Sequence, residues 1–216
     1  MTASRREVAL LETNKPRQER AKRTYEAILA AAAELLVEAG VERISTNMIA
    51  ERAGITVPAL YRYFPNKYAV LHALGTVEMQ RQSSVFEQWL ERHCKQGSNP
   101  EKLLASTFDL LWRSYELTRE QPGGLEIIQA LRAVAPLQEL RLTSHRLVAR
   151  QLALLVAESL ARPVDQAIAM QARLTVDTGY SLVEMALQEG SLPAEDILRQ
   201  GAHMIQLYWR DILTAG

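Results

Sequence analysis

Three observations predict an all-α chain. Glycine and proline are sparse and fall between long segments rich in Ala, Leu, Glu and Arg. No stretch carries the period-two alternation of a half-buried strand. Near the N-terminus two short helix signals flank a single glycine, Gly54, which is the spacing of a helix-turn-helix. At 216 residues the chain can bury a substantial core, as one domain or as two.

Residues 1–14 are mixed in composition and read as a mobile start. From Lys15 to Arg23, KPRQERAKR sets five basic residues around one Glu. An apolar stripe follows at helical spacing, Tyr25, Ile28, Leu29, Ala32, Leu35, Leu36 and Ala39, and Gly40 is its expected stop. Lys22 and Arg23, with Arg20 beside them, stand near the positive end of that helix. The helix dipole disfavours each such cation by about 0.3–1 kcal/mol, so an anionic partner is expected. DNA phosphates, or a minor groove reached by the preceding arm, would serve; a merely solvated basic end is the plainer alternative.

The next stretch, TNMIAERAGITVPALYRYF, holds the helix-turn-helix. Thr46 is the expected N-cap of the first helix, and Met48, Ile49, Ala53 and Ile55 are its inward positions. Gly54 makes the corner, because glycine enters the left-handed backbone region without steric cost. Thr56 caps the second helix, Pro58 sits in its first turn where a missing N–H is harmless, and Leu60 with Phe64 faces back at i, i+4. Val57, Pro58, Ala59 and Tyr61 are then left pointing outward where a major groove meets base edges. Tyr61 and Tyr63, with Asn66 and Lys67 just beyond, bring several phosphate donors into a small area. Simple packing is the competing reading of the two tyrosines.

Asn66 caps a long segment whose apolar positions run from Tyr68 to Leu90, and Gln96-Gly97-Ser98-Asn99-Pro100 breaks it. Further helices are expected over Glu101–Glu120, Leu125–Val134, Leu137–Leu160, Asp165–Gln188 and Pro193–Leu213, with Asp165 as a cap and Pro193 in a first turn. The formal net charge is zero, which argues against a protein that coats nucleic acid non-specifically. Its distribution is uneven: residues 1–68 carry eleven Lys/Arg against eight Asp/Glu, and residues 69–216 carry fourteen against seventeen. That suits a basic head, residues 15–68, on an acidic body, residues 69–216. Cys94 is the only cysteine, so an internal disulfide and a thiolate metal cluster are both excluded and a cytoplasmic location is expected. The first residues lack the apolar core of a secretory signal, and no run reaches the length of a membrane span.

Taken together, Ile49-Ala50, Ala53-Gly54, Leu60-Tyr61, Tyr63-Phe64 and Asn66-Lys67 give the segment from Arg20 to Leu71 a specific resemblance to the DNA-binding domain of the tetracycline-repressor (TetR) family of transcription regulators. Pro58 replaces the commoner glycine, and Tyr68 stands where an acidic residue is frequent. The resemblance implies an all-α subunit of about nine helices: an N-terminal three-helix DNA-binding domain with its helix-turn-helix, then a helical ligand-binding and dimerisation domain. By position it places Asn47, Val57, Pro58, Ala59 and Tyr61 near bases, and Thr46, Thr56, Tyr63 and Lys67 at phosphates. So apolar a reading face would lean on thymine methyl groups, with Asn47 as its polar reader.

The resemblance further implies a homodimer formed through the last two helices, for which Gly179, Leu182, Met185, Met204, Leu207 and Tyr208 are the candidates, and a palindromic double-stranded operator. It also implies a pocket for a small-molecule effector, with Phe108, Trp112, Tyr115, Gln129, His145 and Tyr180 as candidates. Each of those six reads equally well as a core residue. Neither a cofactor nor a metal is expected. An enzyme is the rival from another class, but no H-E-x-x-H, glycine-rich phosphate loop or nucleophile elbow is present. A helix-turn-helix used only for protein contacts is the second rival; it would lack steeply salt-dependent DNA binding.

Overall fold

A computed structural model describes Pro16, residues 18–93 and residues 100–214. The expected mobile start, Lys15 and Arg17 of the basic arm, Cys94 and the break over 96–99 lie outside the described residues. Among the described residues the chain forms helical segments only: α1 (Glu19–Arg43), α2 (Thr46–Arg52), α3 (Val57–Tyr61), α4 (Lys67–His93), α5 (Pro100–Ala105), α6 (Thr107–Glu120), α7 (Gly124–Ala133), α8 (Ala135–Ser159), α9 (Gln166–Gln188) and α10 (Ala194–Thr214). None of these is long and apolar enough to cross a membrane. Two compact units result, one from the chain up to Gln80 with Gln121–Leu142, the other from Arg81–Glu120 with Thr143 onward.

The first unit is built on α1, which buries Ile28, Leu29, Ala32, Leu35 and Leu36 along one stripe. Gly40 leaves the helical region at φ 73°, ψ 166°, so the expected stop is a kink, beyond which helical bonding resumes to Arg43. Ser45, not Thr46, caps α2: its hydroxyl accepts from the Met48 N–H at 3.3 Å, and Thr46 is the first helical residue. A hydroxyl on either residue would satisfy the sequence pattern, and the extended backbone at Ser45 decides between them. Gly54, at φ 66°, turns the chain, and the Ile55 N–H returns to the Ala50 carbonyl at 2.9 Å. Thr56 caps α3 and Asn66 caps α4 through the Ala59 and Ala69 N–H groups.

Leu60 and Phe64 are fully buried with Ile28, Leu36, Ile44, Ile49 and Leu71, and the Phe64 ring stacks on Tyr25 at 4.9 Å. Helix α7 closes this core with Ile127 and Leu131. Its lead-in residue Gly123 (φ 69°) rides so close to α1 that a Cβ there would lie 2.8 Å from the Ala33 carbonyl oxygen. Backbone cannot yield as a flexible side chain can, and an alanine would also be strained in that conformation.

The second unit packs α6, α9 and α10 with the second half of α4 and most of α8 around Trp89, Leu111, Val183, Leu198 and Trp209. The single helix expected over Glu101–Glu120 is interrupted at Ser106. Two further hydrogen bonds mark the interruption. The Ser106 hydroxyl donates back to the Leu103 carbonyl at 2.8 Å, and the Trp89 indole N–H takes the Ser106 carbonyl at 3.1 Å. Helix α8 starts before Pro136, not after it, with the proline held in the first turn. Asp165 caps α9 as expected, accepting from the Ile168 N–H at 2.8 Å. Helices α9 and α10 are tied by the Trp209 indole N–H donating to Thr175 Oγ1 at 2.8 Å and by Gln171 donating to the Tyr208 carbonyl.

Candidate nucleic-acid interface and internal cavity

On the first unit, Asn47, Thr56, Pro58 and Tyr61 are exposed, and Tyr61 is about 50% accessible. The hydroxyls of Thr46 and Tyr61 lie 3.3 Å apart, so the start of α2 and the end of α3 share one polar edge. Val57 differs from expectation, being half-buried and packed on the core beside Ile55, while Ala59 is half-exposed. Val57 is the first residue of α3, directly after the Thr56 cap, and from there its side chain packs on the core. Tyr63 is also half-buried, with its ring edge-on to Tyr25 at 6.4 Å.

Lys67, assigned to a phosphate, has another occupation. Its ammonium donates to the carbonyls of Val41, Glu42 and Ile44 at 3.2, 3.2 and 3.1 Å. Val41 and Glu42 stand in the last turn of α1 and Ile44 is its C-cap, so the ammonium sits at the negative end of that helix, where a cation is favoured. Lys67→Ala should therefore lower stability by about 1–3 kcal/mol, the range for hydrogen bonds to a charged group. The salt slope of DNA binding should stay nearly unchanged, and a drop of about one unit would show that the ammonium reaches a phosphate instead.

At the start of α1, Lys22 pairs with Glu19 at 2.6 Å, which supplies the anion expected there from within the chain. Arg20 and Arg23, both exposed, line an open groove with Thr24, Ala53 and Ile55, beside the turn of the helix-turn-helix. A clamp holds α2 against α1. Arg52 meets Glu38 through both carboxylate oxygens at 2.9 and 2.7 Å, and Glu34 at 3.0 Å. Hydrogen bonds from Arg52 hold the Glu38 carboxyl below its ordinary range and raise the guanidinium in turn. Because the folded value is the lower one, the clamp stabilises the head at neutral pH and is lost as pH falls through and below the carboxylate range. Sequence reading missed this clamp, since neither glutamate lies within a helical turn of Arg52.

The second unit holds a partly open cavity of about 110 Å³ among α4, α5, α6, α8, α9 and α10. Phe86, Trp89, Leu111, Leu152, Val176 and Trp209 form much of its wall, and every residue lining it is neutral. Of the six effector candidates only Tyr180 reaches this wall. Phe108, Trp112 and Tyr115 form a separate ladder along α6, with centroid spacings of 6.0 and 5.3 Å. Arg199 covers one end at 4.4 Å and Arg119 the other at 5.4 Å. The helical period accounts for the difference, since Thr107, Leu110, Leu111 and Ser114 take the cavity side of α6. His145 lies behind Tyr180, stacked at 4.0 Å, and its Nδ1 pairs with Asp177 at 2.6 Å. Gln129 is exposed on α7 in the other unit.

Among the dimer candidates, Met185, Met204, Leu207 and Tyr208 are exposed, joined by Met170 and Leu174 on α9. Gly179 and Leu182 are half-buried and also pack within the subunit. Gly179 lines the cavity against Leu111, and the half-buried Leu182 fills the space left by Gly201.

The profile of bacterial regulatory proteins of the tetR family matches residues 28–74, from the buried stripe of α1 through the helix-turn-helix into α4. Residues 28–74 carry a tetR-family domain. The chain's tetR-family head is 49% identical over 50 residues to the class C tetracycline repressor protein of Escherichia coli, a match covering 23% of each chain. The chain thus spans about a quarter of the length of that curated relative. Along nearly the whole chain, a TetR-family transcriptional regulator from Streptomyces coelicolor is 25% identical with a TM-score of 0.58, over 87% of this chain and 98% of that one. SmeT, the repressor of the Stenotrophomonas maltophilia multidrug efflux pump SmeDEF, shares the fold at 23% identity and a TM-score of 0.64, over 88% and 91%. A SmeT–triclosan complex matches similarly, at 22% identity and a TM-score of 0.62 over 87% and 90%.

Proposed function

We propose that this chain is a sequence-specific DNA-binding transcriptional regulator of the tetR family, a ligand-responsive repressor acting as a cytoplasmic homodimer on a palindromic operator. The observation that carries the reading is the capped helix-turn-helix with its left-handed Gly54 corner, which presents Asn47, Pro58, Ala59 and Tyr61 beside the basic groove of Arg20 and Arg23. In this reading residues 15–68 bind DNA, and residues 69–216 bind the effector and pair with a second copy. Lys22, Thr46, Thr56 and Tyr63 border the DNA face. Reading is its function and catalysis is not. The effector reading draws on the apolar-walled cavity and on the SmeT–triclosan complex.

Selection of bound sequences from random duplex DNA tests the proposal. A two-fold symmetric consensus with a steep salt dependence is expected, and binding without sequence preference would refute it. Position 59 gives a sharper check. Ala59 offers only a methyl group, so Ala59→Gln should change base preference at one position in each half-site by about 1–3 kcal/mol. It should leave the salt slope alone; a uniform loss of affinity on all sequences would mean that α3 does not sit in the major groove.

A further inference from the structure

We infer that the cavity of the second unit takes a neutral, single-ring molecule carrying one hydrogen-bond donor, a ligand of the phenol class, and excludes ions of the same size. The inference rests on the regulatory reading above only for its consequence at DNA; the site itself rests on geometry. At about 110 Å³ the cavity is of the order of the roughly 150 Å³ void that admits benzene in an engineered protein core, so it suits one ring. Its lining holds no charged side chain. An ion brought there would lose much of its hydration with no charge of opposite sign to replace it, a cost that falls on the charged ligand alone.

Gln82, Thr107, Thr175 and Tyr180 also bring polar atoms to the wall, and four other groups there have already committed their protons. Both indole N–H groups are spent on the protein, that of Trp89 on the Ser106 carbonyl at 3.1 Å and that of Trp209 on Thr175 Oγ1 at 2.8 Å. The Ser114 hydroxyl donates to the Leu110 carbonyl at 2.9 Å, and the Ser159 hydroxyl donates to the Val156 carbonyl at 2.8 Å. Each serine has therefore given away its one proton and keeps oxygen lone pairs, so these two hydroxyls are acceptors for the ligand. A ligand O–H is complemented at these serines, and a ring without one leaves them unused. A carboxylate there would set oxygen against oxygen.

The test uses the full chain and four ring-sized probes: phenol, toluene, benzoate and benzylammonium. Calorimetric titration should show phenol binding about tenfold tighter than toluene, the worth of one added hydrogen bond. Benzoate and benzylammonium should bind at least about a hundredfold more weakly than phenol. Ser114→Ala with Ser159→Ala should bring phenol to the level of toluene while toluene itself is unchanged. Gly179→Val narrows the cavity and should weaken phenol and toluene together. Because that variant adds bulk beside Leu111, its fold is checked by circular dichroism, and the serine pair carries the conclusion if it misfolds. Equal binding of benzoate or benzylammonium, or a serine pair that leaves the phenol preference intact, would overturn the assignment. Phenol that binds as expected yet leaves operator affinity unchanged would uphold the site and refute the ligand-responsive reading. A charged probe that releases DNA while phenol does not would do the reverse.

Discussion

Phe64→Ala should destabilise the head by about 3–5 kcal/mol, a large share of the roughly 5–15 kcal/mol by which a domain is stable. Phe64 is fully buried, its ring stacks on Tyr25 at 4.9 Å, and it is the residue by which the short helix α3 and the start of α4 are pinned to α1. Removing the ring leaves a void that cannot collapse, because Leu60, Ile28 and Leu71 around it are held by three different helices. Helix α3, with five residues, has no stability of its own to fall back on. Urea unfolding followed by helical circular dichroism should show an early transition that the parent protein lacks, and operator binding should vanish with it. A loss below about 1 kcal/mol would mean that α3 is held by something other than this core.

Leu174→Glu with Leu207→Glu should convert the protein to monomers and weaken operator binding by about 10²–10⁴-fold. That factor is the advantage of holding a second half-site reader at high effective concentration. Both leucines are exposed, on α9 and α10, among Met170, Met185, Met204 and Tyr208, and six large apolar side chains on two adjacent helices are a costly surface for a lone subunit. Carboxylates facing carboxylates across a two-fold axis would repel, since such an interface sets a patch against its own copy. Sedimentation equilibrium reads the mass directly, and a double variant that stays dimeric with full affinity would place the interface elsewhere. Point changes are preferable to truncation before Pro193. Helix α10 also carries Ile197, Leu198, Ile205 and Trp209, all buried in its own subunit, so cutting it away strips the core and gives aggregation whatever the oligomeric state.

Both predictions depend on a division visible at particular residues. The left-handed corner at Gly54, the caps at Thr56, Asn66 and Asp165, and the inward pair Leu60 and Phe64 were all legible in the sequence. Each is decided within about four residues, by the φ range of glycine, by a side-chain oxygen reaching an N–H three positions on, or by the helical period. The same local chemistry made the tetR-family pattern readable, since the pattern consists of these turns and caps.

Other features were decided only when distant segments met. Lys67 finds its carbonyls 23 to 26 residues back, and Arg52 reaches Glu38 and Glu34 across 14 and 18 residues. Trp89 meets the interruption between α5 and α6 by donating to the Ser106 carbonyl, 17 positions ahead. The cavity belongs to six helices, and which residues of α6 line it follows from how that helix is rotated against α9 and α10, not from which residues are aromatic. A cation or an aromatic ring announces only that it will find a partner. Which partner it finds is set by tertiary packing, because the free-energy difference between a phosphate and three carbonyls, or between a ligand and a neighbouring ring, depends on what the fold has already brought within 3–5 Å.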